Sequence, residues 1–192
     1  TRWQNILRYA EKYNVDKILT TGDYCADTMS DGEEYLSKIA SQLPMGSNVI
    51  PAMGNHDMAK VRESGEALTE KEAFNNVLKP FVEMGNIYAD KTYYFQDVQF
   101  KQSLIGDIWN YRIIVLNTYD GADWTKAHIG QAQVNFLIDA LKTIPTKSGT
   151  QAYGVIVMMH GLEYAASKTA DALTKIESAA NFYQTKRRNN HA

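Results

Sequence analysis

The ten residues from Asn48 to Asp57 read Asn-Val-Ile-Pro-Ala-Met-Gly-Asn-His-Asp, an apolar run that ends abruptly in a glycine and three polar residues. The apolar part, 48–53, is typical of a buried β-strand, although Pro51 is unusual in a central strand. Gly54 ends this strand. The three polar side chains are therefore expected at the carboxyl end of a strand, which is the edge where open α/β sheets bind their ligands.

Two other apolar runs end in the same way. The β-branched run 17–21 precedes Gly22 and Asp23, with Asp27 close behind, and the run 152–159 precedes His160. Each ending alone is compatible with a turn or with a hydrogen-bonded core histidine. Because all three endings follow strands, we expect them to converge on one sheet edge. Their oxygen and nitrogen donors suit manganese, iron or zinc.

Helical periodicity separates these strands. The first helix is expected to bury Trp3, Ile6, Leu7 and Ala10 and to end at Asn14. Further helices are expected over 31–43, 69–84, 131–144 and 166–184, the second of these capped by Thr69 with Glu72 three residues on. Strands are expected at 92–95 and 98–100, as a meander, and at 111–117. The alternation predicts an α/β fold with layered sheets covered by helices, in a single domain over 1–192 with a helical tail at 162–192.

Composition excludes several classes of protein. The 192 residues are 44% hydrophobic and 22% charged, as in an ordinary globular domain. A net charge of −2 argues against general nucleic-acid binding. The longest apolar run, 155–159, is far shorter than the ~18 residues that a membrane helix needs. The single cysteine, Cys25, rules out an internal disulfide.

Gly22-Asp23 with Asp27, Gly54-Asn55-His56-Asp57 and the strand-terminal His160 together resemble three signature motifs of the calcineurin-like metallophosphoesterases. The resemblance spans about residues 1–161. It implies a β-sandwich flanked by helices and the hydrolysis of phosphate esters, either diesters or monoesters. It also implies a dinuclear centre of two divalent metal ions (Mn, Fe or Zn) and a small-molecule or nucleotide phosphate ester as substrate.

The same resemblance implies a role for each residue. Asp23 matches the carboxylate that bridges both metal ions, and Asn55 and His160 match ligands of the second ion. His56 matches the residue that meets the phosphate and its leaving group, and Asp57 would orient His56. A near-neutral imidazole suits proton transfer to a departing alkoxide.

Two motifs of the family do not occur in the sequence, the Asp-x-His of its first strand and the Gly-His-x-His near its end. We therefore expect the segment to be incomplete at both ends, to lack the first strand and to be inactive by itself. The alternative is a non-catalytic binding module that kept the fold but lost part of the metal site; the intact Asn55-His56-Asp57 argues against it. Trp109 and Trp124 suggest a sugar or base platform, although aromatic residues of strands more often serve packing.

Overall fold

The computed structural model describes residues 2–24, 48–61, 63–79, 91–101, 108–145, 153–161, 174–179 and 181. Its helices are α1 (Arg2–Lys12), α2 (Glu70–Ala73), α3 (Gln131–Lys142) and a short α4 at 174–179. The expected capping box begins α2: Thr69 Oγ1 accepts from the Glu72 amide, and Glu72 accepts from the Thr69 amide. A π-helical turn, Phe74–Leu78, continues α2. The helix expected over 31–43 lies outside the described residues. No helix in the described part of the chain is long and apolar enough to span a bilayer.

The described strands form two sheets. In the first, β1 (Ile18–Thr20) runs parallel to β2 (Val49–Pro51). In the second, β4 (Ile108–Val115) lies between β3 (Tyr94–Lys101), to which it is antiparallel, and β5 (Tyr153–Met158), to which it is parallel. The predicted α/β fold class is confirmed, with a mixed sheet.

The second sheet buries both of its faces because successive side chains of β4 point to opposite sides. Ile113 and Val115 join the core that also holds β2 and α2, whereas Ile114 and Leu116 pack with α3. The hydroxyl of Tyr94 donates to the carbonyl of Pro51 at 2.6 Å and so links the two sheets. The described layers are therefore, in order, the first sheet, the main core, the second sheet and helix α3.

A buried arginine fastens α3 to this sheet. Arg112 on β4 is 3% exposed and donates to both carboxylate oxygens of Asp97 on β3, each at 2.7 Å. It also donates to the carbonyl of Ala140, near the C-terminus of α3, at 2.7 Å. Its guanidinium lies 4.0 Å from the ring centroid of Phe95.

Three local expectations were wrong. Ile6, expected in the core, is 45% exposed, whereas the other three residues expected on that face of α1 are partly buried: Trp3, Leu7 and Ala10. The meander expected at 92–100 is one continuous strand, because Asp97 finds its partner across the sheet in Arg112 and causes no turn. The apolar run 152–159 predicts a buried strand, but β5 is only partly buried over most of its length and leaves Val157 39% exposed.

Candidate metal centre

The two parallel strands of the first sheet carry two of the predicted motifs to one edge. Thr20 of β1 stands beside Pro51 of β2, and the amide of Ala52 donates to the carbonyl of Thr20 at 2.8 Å. Both strands therefore end at the same edge of the sheet. Gly22-Asp23 follows β1 and Gly54 follows β2, so the motifs begin as neighbours.

The two motif glycines let these loops touch, backbone to backbone. Gly22 has φ +96°, and a Cβ at this position would lie 2.2 Å from the Gly54 nitrogen. A Cβ on Gly54 would lie 2.1 Å from Oδ1 of Asp23. Sequence reasoning treated both glycines as turn residues and missed this contact, which depends on a pairing between distant segments. Neither position has room for a side chain.

Asp57 fixes the two loops to each other. Its side chain is fully buried, and Oδ2 accepts from the amides of Asp23 (2.8 Å) and Gly54 (2.9 Å). Oδ1 accepts from the amide of Tyr24 at 2.8 Å. Burial raises the pKa of Asp57 above its ordinary value, although the hydrogen bonds from Gly54 and Tyr24 act in the opposite direction. The structure thus gives Asp57 a bracing role that was not predicted; its orientation of His56 stays a prediction.

Asp23 stands at the centre of the edge. Its backbone is left-handed, with φ 56°, a conformation that non-glycine residues adopt at a cost and that clusters at functional sites. Its Oδ1 accepts from the amide of His56 at 3.2 Å, and its Oδ2 lies 3.3 Å from Nε2 of His160. His56 of the second motif and His160 of the third therefore both contact the carboxylate of Asp23.

His160 is held from several sides. Its Nδ1 lies 2.6 Å from the carbonyl oxygen of Thr21, and its own carbonyl accepts from the hydroxyl of Thr118. The ring of Tyr119 packs against it, with the centroids 6.1 Å apart. The hydrogen bond to Asp23 raises the pKa of His160, although burial lowers it. Burial raises the pKa of Asp23, but His160 outweighs this effect and the pKa is lowered.

The donors at this edge fit one divalent cation. An imidazole whose Nδ1–H is taken by a backbone carbonyl presents Nε2 as a ligand, which is the usual orientation of a metal-binding histidine. Here that Nε2 faces a carboxylate oxygen of Asp23, and a carboxylate with an imidazole suits Mn, Fe or Zn. Within the described residues, no three His, Cys, Asp or Glu side chains gather as one metal cluster. Among the described residues, the third ligand that the sequence analysis expects is the side-chain amide of Asn55.

Asn55 and His56 open the short 3-10 helix His56–Met58 beside Asp23. Asn55 lies at the N-cap but does not cap the helix with its side chain, so the amide is not committed to that bond. The imidazole of His56 packs against the indole of Trp124, with the ring centroids 5.3 Å apart. Asp27 and Trp109, which sequence analysis also considered, are not described at the side-chain level.

Trp124 is the residue near the site whose role sequence analysis left open. It is 8% exposed and belongs to the main core, which favours packing over a platform for a sugar or base. His128, on the same loop, pairs with Asp120, and its Nδ1 lies 2.5 Å from Oδ1. Nothing in the sequence around Trp124 predicts its contact with His56, because the two are far apart along the chain.

Comparison with known proteins gives one match. A model of the calcineurin-like phosphoesterase family matches residues 1–178. No curated protein and no solved structure matches the chain.

Proposed function

Because this chain belongs to the calcineurin-like phosphoesterase family, we propose that the protein encoded by its gene is an enzyme that hydrolyses phosphate esters at the edge formed by Asp23 and His160. The family in general carries out metal-dependent hydrolysis of phosphate esters. The observation that carries the proposal is the pairing of these two side chains, 3.3 Å apart, with Nδ1 of His160 anchored on the carbonyl of Thr21.

We assign the metal ligands as follows. Asp23 and His160, with the amide oxygen of Asn55, would hold one divalent cation, and Asp23 would also serve as a ligand of a second. Divalent cations in such paired sites act as Lewis acids and lower the pKa of water to about 7. The bonds from Asp57 to the backbone of both loops keep Asp23 and Asn55 in register. Pre-organised ligands of this kind support the assignment.

His56 is the proposed acid. Hydrolysis forms a bond between a water oxygen and phosphorus and breaks the phosphorus–oxygen bond of the ester. The departing alkoxide takes a proton from the His56 imidazolium, and the attacking water loses a proton to the solvent, from which His56 is protonated again. The backbone amide of His56 donates to Oδ1 of Asp23 at 3.2 Å. This bond holds the backbone of His56 beside the proposed metal ligand Asp23.

The proposed substrate is a small-molecule or nucleotide phosphate ester, and both diesters and monoesters fit these roles. The test uses the full-length gene product, loaded with Mn²⁺ and assayed on aryl phosphodiesters and aryl phosphomonoesters. We expect multiple turnover that stops on chelation and returns with Mn²⁺. Asp23→Asn should abolish both tight Mn²⁺ binding and turnover, whereas Asp139→Asn, a matched change on the remote helix α3, should affect neither.

The same experiment separates the enzyme from a binding module. A non-catalytic binding module would bind the phosphate ester in a manner that depends on Asp23, but it would not hydrolyse the ester with Mn, Fe or Zn. In that event the proposed activity is wrong.

A further inference from the structure

We propose that Trp124 is a positioning residue for His56, an inference that rests on the proposed function of His56 as the proton donor. The indole of Trp124 lies against the imidazole, with centroids 5.3 Å apart and planes inclined at 47°. Tilted packing of aromatic rings at this separation is attractive. A ring so placed limits the directions in which the imidazole can turn.

Trp124 is itself firmly held. Its Nε1–H donates to the carbonyl of Val61 at 3.3 Å, and its backbone amide donates to the carbonyl of Gly65 at 3.2 Å. Next to it, Glu66 and Asp123 form an antiparallel bridge. The indole is therefore fixed at its ring and at its backbone, and it can serve as a rigid wall.

The segment that holds Trp124 is continuous with the segment that carries His56. The 3-10 helix ends at Met58, whose carbonyl accepts from the amide of Leu68 at 2.8 Å. Between these residues the chain folds back, and the amide of Ala67 donates to the carbonyl of Ala122 at 3.1 Å. The loop after His56 therefore makes the backbone bonds that hold Trp124 beside the imidazole of His56.

The burial of Trp124 distinguishes positioning from direct contact with substrate. The residue is 8% exposed, and its N–H is already donated to Val61. An indole in this state offers little face for a sugar or base to stack on. Its contribution acts through His56.

The expected effect follows from the geometry that proton transfer requires. A side chain such as His56 has about three staggered χ1 wells, and the indole restricts access to some of them. Misplacing a catalytic group by about 1 Å costs on the order of 100-fold in rate. We expect Trp124→Leu to lower kcat about 10- to 100-fold, with Mn²⁺ affinity and KM within about 2-fold of wild type.

The test uses the full-length gene product. Trp124→Phe keeps an aromatic wall and should recover most of the lost kcat. Trp3→Leu is the matched control, because Trp3 packs against the same core from α1 and the substitution is the same. A kcat in Trp124→Leu equal to that of wild type would overturn the inference. So would an equal loss of kcat in Trp3→Leu, because general destabilisation would then explain both.

A second readout does not depend on turnover. Three-bond couplings measured by NMR report the χ1 population of His56, which we expect to be a single rotamer in the wild type and averaged in Trp124→Leu. If the wild type shows no turnover, the proposed function fails while the couplings still decide the inference. Couplings unchanged by Trp124→Leu would show that the indole does not position His56.

Discussion

Replacing Gly54 with alanine tests whether the contact between the two motif loops builds the metal centre. The new Cβ would lie 2.1 Å from Oδ1 of Asp23 and 2.4 Å from its backbone nitrogen, whereas real Cβ atoms essentially never approach within 3.0 Å of such atoms. The carboxylate oxygen must therefore move by about 0.9 Å, and because the backbone nitrogen clashes as well, the loops must also separate. Separation is opposed because the amides of both Asp23 and Gly54 are bonded to Asp57.

The size of the effect follows from that displacement. A shift near 1 Å at a reacting centre costs on the order of 100-fold in rate, and overpacking costs about 1–3 kcal/mol in the free energy of unfolding. We expect Gly54→Ala to lower kcat/KM about 100-fold and to weaken Mn²⁺ binding at least 10-fold, in a protein that still folds.

The assays are calorimetric Mn²⁺ titration, steady-state hydrolysis and chemical denaturation of the full-length protein. Gly130→Ala is the matched control. Gly130 has an ordinary φ of −70°, and the nearest atom to its Cβ would be a carboxylate oxygen of Asp120 at 3.3 Å, beyond the 3.0 Å limit. We expect that control to keep Mn²⁺ affinity within about 2-fold of wild type. Wild-type Mn²⁺ affinity and turnover in Gly54→Ala would refute the reasoning, because Asp23 would then not need the position described.

Substitutions at three further residues and one binding measurement test other parts of the structure. His56→Ala should leave Mn²⁺ content nearly intact and slow hydrolysis by about 100-fold or more; parallel loss of metal and activity would make His56 a ligand instead. Asp57→Asn places an amide NH₂ where a carboxylate oxygen accepts backbone N–H groups. We therefore expect the free energy of unfolding, measured by urea titration, to fall by about 1–3 kcal/mol. An unchanged urea midpoint would contradict the bracing role of Asp57. Arg112→Met removes a buried guanidinium that donates to both oxygens of the solvent-accessible carboxylate of Asp97, and it should cost about 1.5–3 kcal/mol in the same titration. Arg112→Lys should recover little because lysine lacks the planar fork; full recovery by lysine would show that charge alone matters. The 192-residue chain by itself should bind no more than one Mn²⁺ tightly in a calorimetric titration, because the second ion would have only Asp23; two tight sites would show that the ligands lie elsewhere.

Sequence patterns predicted the strand endings well because each is a local event, an apolar run followed by glycine and polar residues. The convergence of Asp23 and His160 followed from the rule that strands deliver ligands at their carboxyl edge, and the two side chains do meet. What the patterns could not predict depends on partners distant along the chain. Asp97 looks like a turn residue until Arg112 is placed opposite it, and Gly54 looks like a turn residue until Asp23 lies 2.1 Å from where its Cβ would stand.

The bonds around Asp57 also bear on how freely the chain between the first two motifs can change in length. The residues on either side of that connection are held by hydrogen bonds. The amide of Tyr24 donates to Asp57, and the carbonyl of Asn48 accepts from the amide of Ile18 at 2.8 Å. These bonds, and those from Asp57 to the amides of Asp23 and Gly54, are all made by residues that flank the connection. A change in the number of residues between Tyr24 and Asn48 that leaves these bonds intact is therefore compatible with an unmoved Asp23.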